Sequence, residues 1–180
     1  MKPKQCIIVI LAVLVSLSLV DMARGVEQIV ATERKPERFT RESLAGLSGV
    51  FVDVTGVMPP GQSDVTRAGL KTDIELQLRR ADIRVVNRVE VMSTPGIPHL
   101  VLKVTTHKDV AGYIYAFGIE LNLVQDVVLL RDSKLVGRGT TWGTGAVGLV
   151  GAQSLLRILP SVWDRMDQFV KDYRTANPKQ

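Results

Sequence analysis

The chain has 180 residues, 46% of them hydrophobic, with a formal charge of +5 and a single cysteine. That length holds one ordinary domain around one core. One cysteine excludes an intrachain disulfide framework, and a charge this mild and scattered does not make the phosphate-binding stripe of a nucleic-acid protein.

Met1-Lys-Pro-Lys-Gln5 is a basic n-region, Cys6 to Val20 is an uncharged apolar run, and Ala23-x-Gly25 is a small-residue cleavage site. This is the layout of a secretory signal peptide spanning residues 1–25. About fifteen apolar residues are too few for a stable membrane span, which needs roughly twenty at 1.5 Å each. Cys6 opens the run, whereas a lipid-bearing cysteine closes one. Cleavage after Gly25 leaves a cysteine-free chain in the periplasm or outside the cell, without a thiol nucleophile or a thiolate metal site.

Residues 26–47 read as a flexible N-terminal segment. Arg34, Lys35, Arg38 and Arg41 interleave with Glu33, Glu37 and Glu42, and Pro36 interrupts any apolar period. A single α/β domain is expected over 48–176, with 177–180 as a tail. Its first strand is Gly49 to Thr55, with Val50, Val52 and Val54 on one face. Ser63 or Asp64 is placed to cap a helix running to Ala81, whose Leu70, Ile74, Leu78 and Ala81 share one face. Ile83 to Val86 reads as a strand returning beside the first, and Glu90 to Thr94 as one helical turn before Pro95-Gly-Ile-Pro98.

Alternation then marks a meander. Leu100, Leu102 and Val104 line one face of His99 to His107, and Tyr113, Tyr115, Phe117, Ile119, Leu121 and Leu123 line one face of the next strand. Val127 to Leu130 is apolar on both faces, the mark of a bulge or of a stretch covered on both sides. Arg131 to Lys134 turns the chain, and Leu135 to Trp142 returns antiparallel. Leu155, Leu159, Val162, Met166, Phe169 and Tyr173 form one stripe of a final helix over 152–174, kinked at Pro160. The expected fold is α/β (α+β): a mixed sheet of about five strands in β-α-β-β-β-β-α order, with two main helices packed on one face.

Gly143-Thr-Gly145-Ala-Val-Gly148, followed by Gly151, fits G-x-G-x-x-G where a strand meets a helix. A dinucleotide fold needs a further strand and an acid about twenty residues on, but Asp164 and Asp167 fall inside the last helix. No cofactor is therefore expected. Two readings remain for Gly143, Gly145, Gly148 and Gly151: a connection that lets helix and sheet pack closely, or a smooth interaction surface.

Catalytic patterns are sparse. His99 and His107 stand eight residues apart on one strand, about 26 Å at 3.3 Å per residue, too far to share a metal. An acid–base pair of one histidine with Glu120 or Asp53, beside Lys103, is the one enzymatic option on the polar sheet face. A solvated face and no catalytic residue is the simpler expectation.

Gly69 to Val86, Thr94-Pro-Gly96, Gln125 to Arg131, and Trp142 before the glycines resemble a group of small exported bacterial proteins. More loosely, the helix ending in Ala-Asp-Ile-Arg-Val-Val86 is similar to the N-terminal domain of TolB and to envelope proteins of the CsgG and LpoB type. That resemblance implies a periplasmic scaffold for protein contacts, without the lipid-bearing cysteine usual there. The functional expectation is a non-enzymatic periplasmic domain that binds an envelope protein or itself, with neither nucleic acid nor a membrane span. The alternative is a small-molecule or lipid-binding domain using a cleft between the Tyr113/Tyr115/Phe117 face and the last helix.

Overall fold

A computed structural model of the chain describes residues 32–34, 38–57 and 66–178. The expected signal segment, residues 1–25 with Gly25, lies outside the described residues. The elements are β1 (Thr32–Arg34), α1 (Arg38–Glu42), β2 (Phe51–Val57), α2 (Arg67–Arg80), β3 (His99–Lys108), β4 (Ile114–Leu129), β5 (Asp132–Gly151) and α3 (Ile158–Ala176). Short 3-10 turns occupy Glu90–Ser93 and Ala152–Arg157. The strands form one mixed sheet in the order β1-β5-β4-β3-β2. Only β2 and β3 are parallel, and parallel neighbours require a crossover, which α2 supplies.

Period-two alternation builds the core. Val52 pairs with Leu100, Leu100 with Leu123 and Leu102 with Leu121, and Leu123 with Trp142, so one apolar face runs across four strands. Leu70, Ile74 and Leu78 of α2 and Val162, Met166 and Phe169 of α3 join the same buried cluster. Both helices therefore cover this face, and Gln77 Nε2 donates to Asp167 Oδ1 at 2.6 Å between them. Each such side chain, fully buried, stabilises by about 1.5–3 kcal/mol. No helix among the described residues is long and apolar enough to cross a membrane.

Several expectations need correction. Ile83 to Val86 is not a strand: it makes one parallel bridge, Val50 to Val85, because Asp82 turns the chain at φ 62° and the next turn arrives at Arg88. The true parallel neighbour of β2 is β3. The fifth strand is instead β1, which pairs with Gly145 to Val147.

Residues 38–47 belong to the domain rather than to a flexible segment. Leu44 is fully buried in the core, and the Ser43 hydroxyl donates to Thr141 O at 3.0 Å. Asn177 is not tail either. Its Oδ1 accepts from Gly46 N at 2.8 Å and its Nδ2 donates to Leu44 O at 2.9 Å, which ties the end of α3 to the turn after α1.

Pro160 does not kink a long helix. It lies in the first turn of α3, where its missing N–H has no intrahelical acceptor to lose, and Ser154 breaks the helical path upstream at φ −122°. At α2 the cap is Thr66, whose Oγ1 accepts from Gly69 N at 3.0 Å; Ser63 and Asp64 lie outside the described residues.

The largest difference concerns the glycines. Gly143 to Gly151 are strand, the second half of β5, and not a strand-to-helix connection. Trp142, Thr144, Ala146 and Val150 point to the core, leaving alternate residues on the open face. A Cβ on Gly143 would meet Asn122 Oδ1 at 2.4 Å, and one on Gly145 would meet Ile119 O at 2.8 Å. Gly143 and Gly145 let β5 press close to β4, whereas a Cβ on Gly151 would meet nothing within 4 Å.

Candidate functional site

Two features stand outside the core. The first follows from unequal strand lengths. β3 pairs with β4 only as far as Val124, whereas β4 and β5 continue together through Val128 opposite Val136. Residues 125–140 thus form a two-stranded arm beyond the body of the sheet. A bulge at Leu123/Val124 sets its angle. Asp126 N donates to Gly96 O at 2.8 Å, and Arg138 Nη1 donates to Ile97 O at 2.9 Å and to Asp126 Oδ1 at 3.2 Å, which braces the base of the arm.

The tip is apolar. Val128, Leu130, Leu135 and Val136 are all at least half exposed, Leu130 fully. The stretch from Val127 to Leu130 carries a register shift at Val128/Leu129, the bulge its sequence allowed, and it is not covered on both sides, since Val128 and Leu130 are exposed. No described helix packs on the outer sheet face, where Val147 and Leu149 of β5 are 57% and 52% exposed. The four singled-out glycines divide between the faces. Gly143, Gly145 and Gly151 are on the outer face with Val147 and Leu149, and Gly148 is buried opposite Phe117.

The second feature is a cleft of about 470 Å³ at the β2 edge, between β2, α2 and the loop at residues 86–88. Phe51 and His99 stand side by side in it, ring centroids 5.1 Å apart. Lys71 from α2 sits 4.6 Å over the Phe51 ring and 4.0 Å from Glu75. The loop wall is held by a reciprocal exchange: Asn87 Oδ1 accepts from Val89 N and Glu90 N, and Glu90 Oε2 accepts from Asn87 N at 2.9 Å, the logic of a capping box.

Of the acid–base candidates, the structure brings His99 and Asp53 into this one cleft. Lys103 and Glu120 are direct cross-strand partners on the outer face, and His107 pairs with Ala116 towards the far end of β3. His99 Nε2 is buried with no hydrogen-bond partner among the described residues. Burial, and next the Arg138 guanidinium, hold the imidazole below its ordinary value of 6.5, with Asp53 opposing. On acidification the unfolded chain therefore takes up a proton before the folded one, and stability falls as pH drops through 6.5. His99→Gln is expected to lose less stability than the parent between about pH 7.5 and about pH 5 in urea titrations. Equal losses in the two proteins would refute this.

The cleft foreseen beneath the aromatic strand is filled. Tyr115 and Phe117 are buried in one cluster with Val162 and Phe169, while Tyr113 stands outside, 76% exposed. Among the described residues no group of three or more His, Cys, Asp or Glu is placed to hold a metal ion. Asn87 and Arg88 were missed by sequence reasoning because their approach to His99 is made by tertiary contact. The sequence signal available was Asn87-x-x-Glu90, a capping pattern.

No protein-family profile matches the chain, and no curated protein does. Among solved structures it is similar to PelC from Paraburkholderia phytofirmans, solved as a dodecamer. A point variant of that protein aligns with a TM-score of 0.40 at 11% identity, over 78% of this chain and 97% of that one. A second PelC dodecamer aligns with a TM-score of 0.39 at 12% identity over the same shares. A likeness of this size carries no functional argument.

Proposed function

We propose that this chain is an exported, non-enzymatic domain of the cell envelope that works by protein contact, and foremost by association with further copies of itself. Export rests on the leader. The contact role rests on one observation, the β4–β5 arm with its exposed Val128, Leu130, Leu135 and Val136. A two-stranded ribbon is only marginally stable alone in water, and an apolar cluster at its tip adds surface that water solvates poorly. Burial against a partner relieves both. The outer face of β5, with Val147 and Leu149 between Gly145 and Gly151, offers a smooth second apolar surface of the same chain.

Sedimentation of the purified protein tests this reading. The parent is expected to form a defined oligomer, and Leu130→Ser with Val136→Lys to dissociate it, each lost anchor weakening association by about ten- to hundredfold. A parent that is monomeric at about 100 μM, a concentration that detects contacts of only about 5.5 kcal/mol, argues against self-association. An envelope crosslinking pattern unchanged by the same pair of substitutions would then remove the arm from any contact role.

A further inference from the structure

The cleft at the β2 edge is independent of the arm. Its polar groups are arranged as complementary halves. Asp53 projects from β2 and Arg88 from the loop, and neither has an ion-pair partner among the described residues. Nearby charges are, by contrast, taken: Glu75 lies between Lys71 at 4.0 Å and Arg79 at 3.0 Å, and Arg138 holds Asp126. His99 lines the same cleft and is only partly buried.

Three features narrow the ligand. The volume, about 470 Å³, suits a small molecule. Lys71 sits over the Phe51 ring at 4.6 Å and His99 lies tilted beside it at 5.1 Å, which narrows the aromatic surface left for a base or a sugar ring to stack on. The free charges are one carboxylate and one guanidinium, so neither a plain anion nor a plain amine matches both.

We propose that this cleft binds a small zwitterion of the α-amino-acid class, its carboxylate on the Arg88 guanidinium and its ammonium on the Asp53 carboxylate, beside the His99 ring. Arg88 presents a planar fork suited to a carboxylate. The capping exchange at Asn87 and Glu90 keeps the backbone beside Arg88 in place, so little ordering is required on binding.

The test is NMR titration of the His99 imidazole in the purified protein, with His107→Gln to assign the two histidine signals. The probes are the common L-α-amino acids, with acetate and ethylamine as controls that carry one charge each. At least one amino acid is expected to shift the His99 signal saturably with a Kd near or below about 1 mM. Arg88→Gln and Asp53→Asn are each expected to weaken that binding about tenfold or more. Acetate and ethylamine are expected to bind at least about tenfold more weakly than the amino acid. Thermal midpoints of the variants, both at solvent-accessible positions, confirm folding, and Arg88→Ala and Asp53→Ser replace any variant that fails. The proposal is overturned if no amino acid moves the signal, if both variants bind like the parent, or if acetate alone binds as well.

Discussion

Asp172→Ala is expected to destabilise the protein by about 2–4 kcal/mol, from the loss of a single carboxylate. Asp172 is only 2% exposed. It accepts a hydrogen bond from Trp142 Nε1 at 3.1 Å and pairs with Arg41 Nε at 3.1 Å, so one side chain joins α3, β5 and α1. Removing it strands the indole N–H in the core, at about 1–3 kcal/mol. The paired Arg41 Nε is buried, but the side chain as a whole is 39% exposed, and this partial hydration of the guanidinium keeps the total below that of a fully buried pair at about 3–5 kcal/mol. Asp172→Asn retains an acceptor for Trp142 and loses less. Urea unfolding measures both, and an alanine variant within about 0.5 kcal/mol of the parent, the usual range of a surface change, contradicts the assignment.

Gly56→Ala is expected to cost about 2–4 kcal/mol and to release the end of β2 from β3. Gly56 has φ +106° and pairs with Val104, and a Cβ there would fall 1.8 Å from Val104 O and 2.8 Å from its carbonyl carbon. Those atoms are backbone within β3, so no rotamer change relieves the clash. Gly118→Ala is the control: its Cβ meets nothing within 4 Å, and alanine in a strand interior is no worse than glycine. Urea midpoints with hydrogen exchange of the Thr105 amide separate the two. Equal midpoints for the two variants would mean that the tight approach at Gly56 is not a constraint on the fold.

Much of the fold was legible from local pattern. α2 was readable because Leu70, Ile74 and Leu78 repeat at helical spacing and all three are buried. The inner faces of β3 and β4 were readable because strict alternation admits one register of burial. The glycine segment misled, since Gly143 to Gly151 has the composition of a turn, and its strand conformation comes from pairing with β4 some thirty residues upstream. Ile83 to Val86 misled in the opposite way. Its β-branched residues suit a strand, but both bonds to Val50 are made before the chain turns away at Arg88.

The candidate sites divide along the same line. His99 and Asp53 were visible as titratable residues on alternating strands, yet Arg88, Lys71 and the cleft between them exist only once α2 and its following loop are placed against the β2 edge. The exposure of Val127 to Leu130 was likewise undecidable locally, because an apolar run reads the same whether buried or projecting. By itself the sequence determined what depends on neighbours a few residues away: the amphipathic face of α2 and the alternating faces of β3 and β4. Tertiary structure alone decided strand order, the reach of the β4–β5 arm and the meeting of Asp53, Arg88 and His99. Those depend on contacts between distant segments, whose free energies no local period encodes.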